Sequence, residues 1–294
     1  VTSPAIGVIG VIGAGLMGNG IAHTALLAGY SVTLVDAFEA ALQKAAGTIT
    51  VNMRRQAAKG VITSEAVDAA LGRLTITTDY AAFATAGLII EAAPEREDVK
   101  HAIYQSLLPH LTPDAIIASN TSSISITRLA AMTDRPAKFI GMHFFNPVPM
   151  MKLVEIIRGI ATDEDTYNIV HALAEKLGKT VATAEDAPGF IVNRILCPMI
   201  NEAIFALQEG TGTIASIDGG MKLGANHPMG PLELADFVGL DTLLSVMRVL
   251  HSGLGEDKYR PCPLLVKYVE AGWLGRKSGR GFYDYSATPP TPTR

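Results

Sequence analysis

IGVIGVIGAGLMGNGIAHTALLAGYSVTLVD, Ile6 to Asp36, is the stretch on which the fold turns. Its short apolar run rich in β-branched residues, Ile6 to Ile12, is followed at once by Gly13, Gly15 and Gly18. This is strand, tight turn, helix. The first glycine permits the turn, the second lets the backbone approach a pyrophosphate, and the third lets helix pack closely on strand. The helix, Leu16 to Ala28, aims its amino-terminal dipole at the phosphates. Gly13, Ala14, Gly15, Leu16, Met17 and Gly18 are therefore the expected cofactor contacts. The next apolar run, Ser31 to Val35, ends in Asp36, eighteen residues beyond Gly18. An acid there hydrogen-bonds both ribose hydroxyls of adenosine and repels a 2′-phosphate, which favours NAD over NADP. The other reading of Asp36 is a cap on the helix starting near Glu39, and the two roles are compatible.

Working outward, short β-like runs recur at Leu74 to Thr78, Gly87 to Glu91, Ala115 to Ser119 and Phe139 to Met142, separated by helix-compatible stretches such as Glu95 to Leu108. The alternation predicts a Rossmann-type, doubly wound, mostly parallel α/β sheet. Ligands bind such sheets beyond the carboxyl ends of the strands. That places Glu91 to Lys100, Asn120 to Ser123 and His143 to Asn146 on the ligand side. Ser122 or Ser123 also reads as the N-cap of a following helix.

Within GMHFFNPVPMMKLVEII, Gly141 to Ile157, His143 and Glu155 stand twelve residues apart across a double-proline turn. A strand end, a reversal and a returning strand fit that interval and would bring the carboxylate beside the imidazole. The carboxylate would fix the tautomer of a histidine poised as a general base. The plain alternative is a core histidine with an unrelated surface glutamate.

The chain has 294 residues, 48% of them hydrophobic and 18% charged, with a net charge of −4. That length suits two domains, and the composition is that of a globular protein. Without a long basic run there is no general pull toward nucleic acid or membrane, so small ligands are the expected partners. Cys197 and Cys262 are too few for a disulfide framework and lack metal-ligand spacing, which points to a reducing cytoplasm and no metal. The apolar opening, Val1 to Ala25, has no cationic flank and reads as fold, not as a targeting segment. The segment Leu42 to Gly60 reads as a helix ending in Arg54, Arg55 and Lys59. These cations are either a solvated face or a contact for an anionic substrate tail.

The cluster Glu185 to Phe190 breaks the pattern, and the residues after it are almost entirely helical in pattern. The expected domains are 1–187, nucleotide-binding, and 188–294, an all-α domain for substrate and dimerisation. Phe190 to Leu207 carries Asn193, Arg194, Asn201 and Glu202, too polar for a membrane span, so it reads as a buried helix. Asn193 either satisfies backbone or faces a cleft between the domains. The acids of HPMGPLELADFVGLD, His227 to Asp241, read as caps. GRKSGRGFYDY, Gly275 to Tyr285, reads as a flexible loop able to reach an anion, and Thr288 to Arg294 as a frayed end.

Taken in order, VIGAGLMGNGIA with Asp36, SNTSSI, HFFNPVPMMKLVEII, DAPGFIVNRI, GPLELADFVGLD and GRKSGRGFYDY resemble the L-3-hydroxyacyl-CoA dehydrogenase family over nearly the whole chain. Within it the resemblance is to short, free-standing bacterial members acting on 3-hydroxybutyryl-CoA. It implies NAD-dependent oxidation of an (S)-3-hydroxyacyl-CoA at C3 and the reverse reduction of acetoacetyl-CoA. It implies His143 as general base, Glu155 as the acid that orients it, and Ser122 and Asn193 as holders of substrate oxygens. Glu95, Lys100, Ser122, Asn146 and Lys277 fall where the family contacts the cofactor or supports the site. It also implies an acyl-CoA substrate and a homodimer through the carboxyl-terminal helices. AAPEREDVK after Glu91 departs from the family pattern around Glu95 and Lys100, and the basic helix at Arg54 does not align with the family's coenzyme A contacts. Two other readings stand beside it: a dehydrogenase of free hydroxy acids or sugar acids, and a non-catalytic NAD-binding scaffold.

Overall fold

Short β-branched runs alternate with helix-length stretches, and the computed structural model turns that alternation into one eight-stranded sheet with flanking helices. Residues 6–294 are described; residues 1–5, which begin the apolar opening Val1 to Ala25 and the expected first domain, lie outside them. The strands are β1 (Val8–Ile12), β2 (Ser31–Val35), β3 (Leu74–Thr77), β4 (Leu88–Glu91), β5 (Ile116–Ser119), β6 (Phe139–Phe144), β7 (Leu153–Arg158) and β8 (Thr180–Glu185). Between them run α1 (Leu16–Leu27), α2 (Glu39–Ala58), α3 (Ser64–Leu71), α4 (Glu97–Leu107), α5 (Ile126–Ala130) and α6 (Glu164–Lys176). The spatial order is β3-β2-β1-β4-β5-β6-β7-β8, and only β6 and β7 run antiparallel. The strand order reverses between β1 and β4, which opens the crevice where such sheets take their ligand. The central strands are buried on both faces, as a parallel sheet covered by helices requires: Ile9, Val11, Leu34, Leu88, Ile89, Ile90 and Ile117 have no exposed surface.

Several local expectations change. Ser122 and Ser123 do not cap a helix; Ser125 does, accepting from the Arg128 N–H at 3.2 Å. The strand expected to stop at Met142 continues through His143 to Phe144, because β7 supplies a ladder partner for each residue.

One buried titratable group lies apart from the ligand side. His23 of α1 is fully enclosed; its Nε2 lies 3.3 Å from Gln56 Oε1 of α2, while its Nδ1 has no hydrogen-bond partner among the described residues. Burial pushes its pKa below the ordinary 6.5, partly offset by the Gln56 contact. With the folded value depressed, the unfolded chain binds the proton more tightly. Its contribution to stability is therefore complete above pH 6.5 and is lost as pH falls through the folded value. The urea midpoint is expected to fall as pH drops from about 6.5 toward 5, and His23→Leu should flatten that slope whatever its effect on absolute stability. An unchanged slope in the variant would remove His23 from the account.

The chain divides into two compact units, 1–187 and 188–294. The second is built from α7 (Val192–Gln208), α8 (Ile214–Gly224), α9 (Pro231–Val238), α10 (Leu240–Leu254) and α11 (Pro263–Glu270), with a small ribbon of β9 (Tyr283–Asp284) and β10 (Thr291–Pro292). Its core gathers Ile200, Ile204, Leu232, Leu243, Met247, Leu265 and Phe282. Asn201 is buried in α7 and spends both ends of its amide on backbone, donating to Arg260 O and accepting from Cys262 N. Among the described residues no single helix is long and apolar enough to cross a membrane.

Three expectations for this unit are corrected. The acids read as caps have other work. Asp236, buried in α9, accepts from Phe282 N and Tyr283 N at 2.9 and 2.8 Å; Glu233 pairs with Arg276 and Asp241 with Lys277. GRKSGRGFYDY is consequently anchored, not a flexible loop: Arg280 lies over the Trp273 ring and Arg276 over Phe237. The expected frayed end instead forms β10, paired antiparallel with β9 and held by the Thr293 hydroxyl on Gly281 O.

Candidate functional site

β1 ends in the glycine turn, and the turn shows why its residues are small. Gly13 has φ +99°, and a Cβ there would stand 2.6 Å from Ala92 O; at Gly18 it would stand 1.8 Å from Gly13 O. At Gly15 a Cβ would meet nothing within 4 Å, so the backbone there faces open space. Gly15 is also the N-cap of α1, without a side-chain cap and with no acid in the first turn, which leaves the helix dipole and first-turn N–H groups for an anion.

Asp36 closes one side. Its carboxylate accepts from Ala14 N at 2.7 Å and from Phe38 N at 3.0 Å. It does not cap α2, whose N-cap is Phe38 without a side-chain bond. A cavity of about 980 Å³ opens here, lined among others by Gly13 to Met17, Asp36, Phe38, Tyr80, Ala93 and Asn146. Burial, then the negative charges of Asp36 and Glu91, raise the Tyr80 phenol above its usual range. An open glycine cradle at a helix start, a carboxylate at the end of β2 and a cleft of this size fit NAD, and the carboxylate is poorly matched to a 2′-phosphate.

Beside the cavity lies a network that only the fold reveals. Glu91, the last residue of β4, has no exposed surface. One oxygen accepts from Lys100 Nζ at 2.6 Å and Ala93 N at 2.7 Å; the other accepts from Tyr104 Oη at 3.0 Å and Ser119 Oγ at 2.7 Å. Lys100 also lies 3.6 Å from Glu95. Glu95 Oε1 in turn receives Thr121 Oγ1 at 2.6 Å, Ser122 N and Ser123 N at 2.9 Å, and the Ser122 and Ser123 hydroxyls at 3.3 and 2.8 Å. Burial opposes ionisation of Glu95, but Lys100 and these donors outweigh it and hold its carboxyl below the usual range. Glu95, Lys100 and Ser122 thus share one network, despite the unusual sequence around the first two.

His143 and Glu155 face each other directly across the β6–β7 ladder, and His143 Nδ1 lies 2.8 Å from Glu155 Oε2. Glu155 is fully buried, and 6% of the histidine surface is exposed. A carboxylate only accepts, so Nδ1 carries a proton, and in a neutral ring of that tautomer Nε2 is the basic nitrogen. Phe145 packs on the imidazole with ring centroids 4.7 Å apart. Asn120 Oδ1, just past β5, accepts from Phe144 N at 2.9 Å and ties the serine loop to the histidine strand.

In the second unit Asn193 stands half-buried in the first turn of α7, and Lys277 Nζ contacts Asp241 at 2.6 Å. Arg54, Arg55 and Lys59 are exposed on the end of α2. Sequence reasoning placed Glu91 and Asn120 on the ligand side without giving either a role, and it missed Tyr104 and Ser119. The available signal was position, since Glu91, Ser119 and Asn120 end or follow strands on the ligand side.

Comparison with known proteins gives a concordant picture. A family model described as "3-hydroxyacyl-CoA dehydrogenase, NAD binding domain" matches residues 8–187, and one described as "3-hydroxyacyl-CoA dehydrogenase, C-terminal domain" matches residues 189–285. The chain is 61% identical over 286 residues to a 3-hydroxybutyryl-CoA dehydrogenase of Bradyrhizobium diazoefficiens, covering 97% of this chain and 98% of the relative. It is 54% identical over 275 residues to a probable 3-hydroxybutyryl-CoA dehydrogenase of Bacillus subtilis, covering 94% and 96%. The crystal structure of (S)-3-hydroxybutyryl-CoA dehydrogenase from Ralstonia eutropha superposes with a TM-score of 0.94 at 50% identity, covering 96% of this chain and all of that one.

Proposed function

Because the chain belongs to the 3-hydroxyacyl-CoA dehydrogenase family and is an NAD-dependent oxidoreductase of 3-hydroxyacyl-CoA, we propose that its substrate pair is (S)-3-hydroxybutyryl-CoA and acetoacetyl-CoA, with His143 moving the proton. NAD, when bound, supplies the hydride acceptor, and NADH the donor. The glycine turn and Asp36 would hold it, with Asn146 also lining the cavity. In oxidation, His143 Nε2 takes the C3 hydroxyl proton while C3 gives up hydride; in reduction it returns that proton to the ketone oxygen. Glu155 keeps Nδ1 protonated and compensates the imidazolium charge. Ser122 and Asn193 hold the substrate oxygens, Glu95 and Lys100 fix the serine loop, and Lys277 has a supporting role. The observation that carries this reading is the His143–Glu155 pair, buried within the nucleotide-binding unit.

Both cysteines are free and buried, which supports a reducing compartment, the cytoplasm. A homodimer through the helical unit is supported by Ile195 and Leu223, 68% and 91% exposed, and by an apolar groove of about 420 Å³ between Met199, Ala203, Ile217 and Met221. Light scattering at assay concentration is expected to give the mass of two chains.

The direct test measures NADH consumption with acetoacetyl-CoA, longer 3-ketoacyl-CoA esters and free acetoacetate. Acetoacetyl-CoA should be reduced fastest and the free acid negligibly. Comparable turnover of the free acid would instead favour a hydroxy-acid dehydrogenase.

A further inference from the structure

The turn joining the histidine strand to the glutamate strand is folded around a lysine from elsewhere. Lys179, between α6 and β8, has its backbone N–H on Ala174 O at 3.0 Å, in the turn that ends the helix. Its side chain crosses to residues 147–151 and donates Nζ–H to Val148 O at 2.5 Å and to Met151 O at 2.8 Å. Lys179 is 7% exposed, and burial lowers its pKa. Inward carbonyls in a loop need donors, and an ammonium on a four-carbon stem supplies several from a distance.

The other side of the same turn is a wall of the nucleotide cavity. Asn146, Pro147, Val148 and Pro149 line it. Val148 sits so close to α1 that a Cβ on Gly20 would fall 2.9 Å from the Val148 Cβ. The outer edge has little packing of its own, with Met150 76% and Met151 41% exposed. The internal bonds of the turn, Met150 N and Met151 N to Pro147 O at 3.0 Å, set its shape but do not fix it to the sheet. The buried Val148 side chain and Thr180 N on Lys152 O at 2.7 Å hold its flanks, and Lys179 adds the polar attachment at the Val148 and Met151 carbonyls.

We propose that Lys179 is a positioning residue of the cofactor site, holding the 146–149 wall against α1 at the distance NAD requires. It touches neither cofactor nor substrate and acts through Val148 and Asn146. The inference rests on reading the 980 Å³ cavity as the NAD site.

The test is NADH titration by fluorescence with Lys179→Met, which keeps length and removes the donors, and Lys179→Arg, which keeps charge and donors. Losing both carbonyl contacts should raise the NADH Kd by about tenfold or more, the loss appearing in Kd and KM for NADH more than in kcat. Lys179→Arg should restore most of the affinity. A purely structural lysine would lower Tm and the active fraction but leave the Kd of the folded enzyme alone. An unchanged Kd in folded Lys179→Met overturns the proposal. So does failure of both variants to fold, since that assigns Lys179 to stability of the fold. If only Lys179→Met fails to fold, Lys179→Gln replaces it with the same criterion, and its failure to fold counts likewise. Asp36→Ala separates the two readings. Weakened NADH binding there with unchanged Lys179→Met sinks only the lysine inference, whereas unchanged binding in both sinks the cavity assignment.

Discussion

His143→Gln is expected to lower single-turnover reduction of acetoacetyl-CoA by about 10²- to 10⁴-fold, the usual worth of a well-placed general acid–base. Glutamine fills much of the imidazole volume and can keep a hydrogen bond to Glu155, so folding should survive. It cannot take or return a proton near neutral pH. His143 does not line the nucleotide cavity, so NADH binding should stay near that of the wild type. Glu155→Gln should fall in a similar range for a different reason. An amide can donate to Nδ1 and move the ring proton to Nε2, the wrong tautomer for a base, and it removes the charge facing the imidazolium; an analogous change in a serine-protease triad costs about 10⁴-fold. Stopped-flow NADH absorbance separates these effects from slow product release. Wild-type single-turnover rates in His143→Gln would end the assignment.

What was legible in the sequence shares a property: the residues carrying it are neighbours along the chain. Gly13, Gly15 and Gly18 with Asp36 form one βαβ unit, and His143 and Glu155 belong to two strands joined by a single turn. The Glu91 network was hidden because no motif marks it: Ala93, Lys100 and Tyr104 turn back onto the carboxylate from the loop and helix after β4, and Ser119, 28 residues on, arrives only because β5 pairs with β4. Asp236 misled for the same reason. An acid in a helix-rich segment suggests a cap, yet its partners Phe282 and Tyr283 lie 46 and 47 residues downstream. Lys179 belongs to no motif, since what defines it is a pair of carbonyls 31 and 28 residues upstream. Local chemistry announces the cofactor turn and the base, and the residues that hold them in place become visible only once the strand order is known.

Lys100→Met should be among the most destabilising single changes in the nucleotide-binding unit. The ammonium is 1% exposed and bonds a glutamate with no exposed surface, so its removal leaves a desolvated carboxylate with only neutral donors. Breaking a buried pair from one side typically costs about 3–5 kcal/mol. Ala93 N, Tyr104 Oη and Ser119 Oγ still solvate Glu91, which favours the lower end. At about 2–4 °C per kcal/mol for a domain of this size, calorimetry should show the unit melting roughly 6–20 °C lower. Adding Glu91→Gln should recover much of the loss, because the amide oxygen can accept from Ala93 N while its NH₂ donates to the Tyr104 and Ser119 hydroxyls. The same lysine opposes the effect of burial on Glu95, whose carboxyl should therefore rise in pKa when Lys100 is lost. Its grip on Thr121, Ser122 and Ser123 then weakens at a higher pH than in the wild type, and KM for acetoacetyl-CoA should climb on the acid side of neutrality. The double variant regains stability without regaining that charge, so its acid-side KM should stay high. A melting temperature within about 2 °C of the wild type in Lys100→Met would show that the buried charges are not coupled as the geometry implies.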